Sequence, residues 1–228
     1  LSGTHQLEVL PDADAVAARG AEVIAERAGE SISDGAHFNL AASGGRTPWG
    51  MYGRLEERDL DWSKISIFQT DERIAPAGSP ERNLTHLIAA LSPLAQASLK
   101  PMPVEGGGGS EPDLEAAAER YAAAIPERFD LIHLGLGGDG HTASLVPGDT
   151  VLEVTDRNVA LTGAPYRGAQ RMTLTYPTLD KARALLWIVT GEEKRDALAG
   201  LLEGDREIPA GRVSYGESLV IADQAAVG

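Results

Sequence analysis

The chain has 228 residues, 43% of them hydrophobic, and a formal net charge of −14. That supplies enough apolar material for the core of one large domain and argues against disorder, while the acidic field argues against nucleic acid or anionic membrane as a partner of the whole surface. Cysteine is absent, which removes disulfides, thiolate catalysis and cysteine–zinc sites.

In chain order, an apolar run at residues 6–10 predicts a first strand, and residues 12–30 a helix with Val16, Val23 and Ile24 among alanines and Asp12 or Asp14 as its cap. A strand at 37–42 runs into Ser43-Gly44-Gly45-Arg46-Thr47-Pro48, with Pro48 opening the next helix. A strand at 65–70 runs into Thr70-Asp71-Glu72-Arg73, read as a loop. Then come a helix at 83–97, a strand at 99–104, a flexible glycine loop at 106–110, and a helix at 113–124 with Pro112 just ahead. A strand at 130–135 enters a second glycine-rich loop. Strands at 159–163, 172–175, 184–190 and 218–222 complete the set, with a helix at 192–203. Short Val/Ile/Leu strands alternating with helices predict an α/β fold: one domain, 1–228, built on a Rossmann-like, mainly parallel sheet with helices on both faces. No run approaches the roughly 18 apolar residues of a spanning helix and no signal segment is visible, so a soluble, cytoplasmic chain is expected.

In open α/β sheets ligands bind beyond the carboxyl ends of the strands, so the loops there carry the chemistry. In the Ser43–Pro48 turn two glycines permit close backbone approach, Ser43 and Thr47 offer hydroxyls, and the following helix start favours an anion. An ordinary βα turn and a nucleophile elbow at Ser43 are its rivals. Ala41 stands where the elbow has its first glycine. Three charges after a buried strand, Asp71, Glu72 and Arg73, are costly unless solvated, paired or functional. Arg73 suits a phosphate or a polarised carbonyl, and Asp71 the orientation of another side chain.

The strongest local signal is Gly135-Leu136-Gly137-Gly138-Asp139-Gly140-His141-Thr142-Ala143-Ser144. Its G-x-G-x-x-G fits a dinucleotide site poorly, because it is mid-chain and the next strand ends without an acid. The better reading is a tight loop presenting His141 near a helix start, whose positive end keeps the imidazole neutral, with Asp139 fixing the tautomer. Lys194, expected in the first turn of a helix after Gly191, suits a bound anion better than it suits the helix dipole, and Arg167 and Arg171 are further candidate cations. His133 reads as core or interface and His86 as a helix residue. No H-x-x-x-H or H-x-H pair supports a metal.

Taken together, Leu40 to Pro48, Asp71-Glu72-Arg73 with Asn83 downstream, Gly137 to Leu145, Gly191 to Lys194 and Ile208-Pro209-Ala210 resemble the glucosamine-6-phosphate isomerase/6-phosphogluconolactonase family on its lactonase side. The resemblance implies hydrolysis of 6-phospho-D-glucono-1,5-lactone to 6-phospho-D-gluconate, in the oxidative pentose phosphate pathway, with no metal or cofactor. It implies the fold shared with glucosamine-6-phosphate deaminases and ribose-5-phosphate isomerases. It makes His141 the general base with Asp139 as neighbour, and places Ser43, Gly44, Gly45, Thr47, Arg73, Arg171 and Lys194 around the sugar phosphate, with Asp71 beside them. Arg73 or loop N–H groups would steady the oxyanion. The expected partner is a small phosphosugar lactone, with monomer and homodimer both open. Two departures from the family pattern are Gly138 for proline and Val146 for phenylalanine. The alternatives are an amino-sugar phosphate deaminase, which would carry a glutamate where Val146 stands, and a non-catalytic sugar-phosphate sensor.

Overall fold

The computed structural model describes residues 4–105 and 113–228; the glycine stretch at 106–110 and Pro112 lie outside them. Strand β1 (Gln6–Leu10) precedes helix α1 (Ala13–Ser33), capped by the Asp12 carboxylate on Ala15 N–H. Then follow β2 (Phe38–Ala42), α2 (Arg46–Gly53), β3 (Ile65–Gln69), β4 (Asp71–Arg73), α3 (Asn83–Ala90), α4 (Pro93–Gln96), β5 (Leu99–Lys100) and α5 (Leu114–Ala124). The second half runs β6 (Leu131–Gly135), β7 (Val159–Leu161), β8 (Arg171–Leu174), α6 (Tyr176–Leu179), β9 (Ala184–Val189), α7 (Arg195–Glu203), β10 (Glu217–Asp223) and α8 (Gln224–Val227). No helix among the described residues is long and apolar enough to cross a membrane.

Seven strands pair in parallel in the order β1-β10-β9-β6-β2-β3-β5. Side chains on alternate positions of β9 build two cores. Ala184, Leu186 and Ile188 join Val16 and Ile24 of α1 and Met51 of α2, while Leu185, Trp187 and Val189 join Tyr121 of α5 and Leu198 of α7. This is the period-two division of a sheet covered on both faces.

Four expectations need correction. The runs at 159–163 and 172–175 leave the main sheet and form a separate antiparallel sheet, β4-β8-β7, whose third strand is the Asp71–Arg73 segment expected to be loop. The backbone turns at Thr70 and finds its partners in β8, with Asp71 opposite Thr173. The helix at 83–97 breaks after Ala90, because Pro93 lacks an N–H and the Ser92 hydroxyl caps a new turn on Ala95 N–H. The strand at 99–104 stops at Lys100, where Pro101 and Pro103 cannot donate to a ladder.

β2 and β6 are neighbours, but β2 continues to β3 on one side and β6 to β9 on the other. Their connections diverge, opening a crevice beyond the carboxyl ends of these strands.

Candidate active site

A cleft of about 890 Å³ occupies that crevice. The β2–α2 turn lines it with Ser43, Gly44, Gly45 and Thr47; the small sheet contributes Asp71, Arg73 and Arg171; the loop after β6 contributes Gly137 and His141; and the segment after β9 contributes Thr190 and Lys194. The structure thus gathers the sequence-predicted site residues in one place, Asp139 joining them through its contact with His141.

The loop after β6 is closed by Gly137 N–H on His141 O at 2.8 Å and Gly140 N–H on Gly137 O at 2.9 Å. A Cβ on Gly137 would occupy the space of the His141 imidazole, so the glycine is required by the histidine rather than by a dinucleotide. His141 Nδ1 lies 2.5 Å from Asp139 Oδ1. A carboxylate only accepts, so Nδ1 carries the proton and Nε2 the lone pair, and Nε2 has no hydrogen-bond partner among the described residues. Burial would raise the Asp139 carboxyl, but hydrogen bonds from Tyr166 and His141 overcome this and hold it well below the usual carboxylate range. Burial lowers the His141 imidazole, against the opposing pull of Asp139. The expected helix start is absent: residues 142–145 form a turn closed by Thr142 and Leu145, so desolvation, not a helix dipole, favours the neutral ring.

The β2–α2 turn has Gly45 at the helix N-cap with φ of 136°, a conformation that disfavours a side chain. Gly44 is pinned by Asn83, whose Oδ1 would lie 2.5 Å from any Cβ there. The N–H groups of Gly44 and Gly45 have no partner among the described residues and stand at the start of α2, ready for an anion. The Ser43 hydroxyl is buried and shares a 2.7 Å hydrogen bond with Thr70 Oγ1. No imidazole lies within hydrogen-bond reach of it, which leaves the nucleophile elbow without a base. Thr47 Oγ1 meets Thr190 Oγ1 at 2.8 Å, joining the tips of β2 and β9. Beneath the turn, His133 Nδ1 lies 2.7 Å from Tyr52 Oη and accepts Ser43 N–H at 3.3 Å, the core role expected of it.

The three charges after β3 divide their work. Glu72, fully buried, accepts the N–H groups of Arg73, Asn83 and Leu84 and the Gln69 amide, capping α3 and setting the direction of β4. Asp71 accepts Ser144 Oγ at 2.6 Å and faces Arg171 Nη1 at 3.8 Å, tying the histidine loop to β8. Burial raises its carboxyl. Arg73 donates to Glu81 O at 2.8 Å, and the Nε atoms of Arg73 and Arg171 are buried without a partner, leaving donor capacity on both guanidiniums unused.

Sequence reasoning missed Tyr166, whose hydroxyl donates to Asp139 Oδ2 at 2.7 Å, and Arg46 and Arg54, which also line the cleft. Nothing in the sequence around Tyr166 marks it, since its partners arrive from a loop more than 20 residues away. A local signal exists in the backbone: Ala143 and Arg167, the two non-glycine residues with positive φ among those described, both line the cleft. No group of three or more His, Asp or Glu among the described residues is placed to hold a metal ion.

An open parallel sheet of the Rossmann kind, with an anion-ready turn and an imidazole–carboxylate pair meeting at its switch point, defines an α/β enzyme of small anionic substrates. The chain belongs to the glucosamine-6-phosphate isomerase/6-phosphogluconolactonase family, whose sequence profile matches residues 11–221. It is 33% identical to the 6-phosphogluconolactonase of Streptomyces coelicolor over 249 aligned positions, covering 99% of this chain and 95% of that one. The crystal structure of Thermotoga maritima 6-phosphogluconolactonase superposes with a TM-score of 0.84 at 25% identity, covering 96% of this chain and 100% of that one. A monomeric glucosamine-6-phosphate deaminase shares the fold, with a TM-score of 0.80 at 17% identity over 97% of this chain and 98% of its own.

Proposed function

We propose that the chain hydrolyses 6-phospho-D-glucono-1,5-lactone to 6-phospho-D-gluconate as one cytoplasmic domain, with His141 as general base and no part for nucleic acid or membrane. The observation that carries this reading is the His141–Asp139 pair, at 2.5 Å, on a cleft ringed by Arg73, Arg167, Arg171 and Lys194. An acidic chain that concentrates cations at one crevice is built to hold an anion there. Val146, where the deaminase pattern has glutamate, is buried and apolar, so the acid that ring opening requires is missing.

The chemistry follows from the tautomer. Nε2 takes a proton from water as its oxygen attacks the lactone carbonyl carbon. The tetrahedral oxyanion is met by Arg73 or by loop N–H groups. Collapse breaks the bond to the ring oxygen, which leaves with the proton held by the imidazolium, and the new carboxylic acid ionises. The Gly44–Thr47 turn and Lys194 hold the phosphate, fixing the carbonyl against the water.

His141→Asn is expected to lower kcat by about 10²- to 10⁴-fold, the usual worth of a positioned general base. In the wild type, kcat/KM should fall as the pH drops and the ring is protonated, with the midpoint below 6.5 because burial favours the neutral form. An asparagine variant as fast as wild type would refute the assignment.

A further inference from the structure

Tyr166 sits at the tip of the β7–β8 hairpin. It pairs with Ala169 through Tyr166 N–H on Ala169 O at 2.9 Å, and the two intervening residues, Arg167 and Gly168, have φ of 50° and 88°. Two positive φ values in a two-residue loop are the signature of a type I′ turn, which matches strand twist and makes a tight tip. Arg171 Nη2 donates to Tyr166 O at 3.3 Å and fastens the same point.

From that fixed tip the ring reaches in two directions. Its hydroxyl donates to Asp139 Oδ2 at 2.7 Å and lies 3.3 Å from His141 Nδ1, while the imidazole packs edge-on at 5.3 Å between centroids. Arg167 and Arg171 each place their guanidinium carbon 5.1 Å from the ring centroid. Burial and the neighbouring carboxylate both favour the neutral phenol, so the hydroxyl donates. Asp139 therefore spends one oxygen on His141 and the other on Tyr166.

We propose that Tyr166 is a positioning residue for lactone hydrolysis: its hydroxyl fixes the Asp139–His141 pair, and its ring aligns Arg167 and Arg171 with the anion. The proposal rests on the lactonase reading and divides the tyrosine into two separable parts. The hydroxyl orients the base and draws charge from Asp139, which limits how strongly Asp139 favours the imidazolium. The ring carries the two cations, a contact worth a several-fold change in affinity at a partly buried site. The groups facing His141 are Asp139 on its own loop, Asp71 on β4, and Tyr166 and Arg167 on the hairpin.

The test compares Tyr166→Phe with Tyr166→Leu in the full chain. Tyr166→Phe should keep KM within about twofold and lower kcat about tenfold, the scale of one hydrogen bond to a charged group. It should also move the acid limb of kcat/KM to higher pH, since Asp139 is then left with His141 alone. Tyr166→Leu should do the same and raise KM several-fold, with a matching loss of affinity for 6-phosphogluconate measured by calorimetry. A purely structural role would lower the active fraction and leave the limb in place. Wild-type turnover and its loss in His141→Asn are measured alongside. If wild type turns over and Tyr166→Phe matches it in kcat and acid limb, the tyrosine's role is wrong and the lactonase reading stands; if wild type has no turnover, both fall.

Discussion

Lowering the pH from about 7.5 to about 5 is expected to cost the fold about 2 kcal/mol through His133 alone. This imidazole is fully buried under the β2–α2 turn, its Nε2 without a partner, and burial brings its pKa from 6.5 to about 3. The folded chain therefore holds it neutral, whereas an unfolded chain protonates it near its ordinary value. Stability is fully present above that value and is lost as the pH falls from about 6.5 towards 3. At pH 5 the unfolded state has gained about 1.5 pH units of protonation, at about 1.4 kcal/mol each. Near pH 3 the loss would level off at about 5 kcal/mol. Urea unfolding of wild type and His133→Gln at both pH values isolates this contribution. Asp71, whose carboxyl is raised by burial, acts in the opposite direction but equally in both proteins. The glutamine variant should lose about 2 kcal/mol less than wild type between the two pH values. Equal losses would mean that the site admits a proton when folded, and the reasoning would fail.

Gly137→Ala should fold with near-normal circular dichroism yet lose kcat by at least about 100-fold, because the methyl group takes the place of the His141 ring; retained activity would show that the ring has room to move. Lys194→Ala should raise KM with kcat little changed in steady-state assays, as expected for an anchor that holds substrate and transition state alike. Glu72→Ala should destabilise the protein by about 3 to 5 kcal/mol in denaturant titration, since it uncaps α3, leaves the N–H groups of Arg73, Asn83 and Leu84 and the Gln69 amide without their acceptor, and leaves the buried Arg82 with Glu105 as its remaining carboxylate partner.

The crevice was legible in the sequence because each segment that follows a sheet strand onto it announces its chemistry within a few residues: Ser43 to Pro48, Asp71 to Arg73, Gly135 to His141. The small sheet was not. The runs at 159–163 and 172–175 read as strands like those of the main sheet, and only the pairing with β4 and with each other sends them elsewhere. Asp71 and Glu72 look like a solvated turn, and nothing in three consecutive charges says which carboxylate will be sealed around main-chain N–H groups. The neutral state of His141 was anticipated from a helix end that does not exist, and burial supplies it instead. Tyr166 reaches Asp139 across 27 residues of chain, and no local pattern encodes a meeting of that range.

The walls of the cleft belong to different layers. The Ser43–Thr47 turn rides on α2 and the core it shares with α1, while Leu145 of the histidine loop and Met172 of β8 pack into the core on the opposite face of the sheet. An anion bridging them acts as a reversible crosslink between the two halves of the molecule. Occupancy is then written into melting behaviour: a ligand at about 100 times its Kd adds about 2.7 kcal/mol to unfolding. A thermal scan with inorganic phosphate or 6-phosphogluconate thus reads recognition by this cleft in a protein whose base has been removed, where turnover can report nothing.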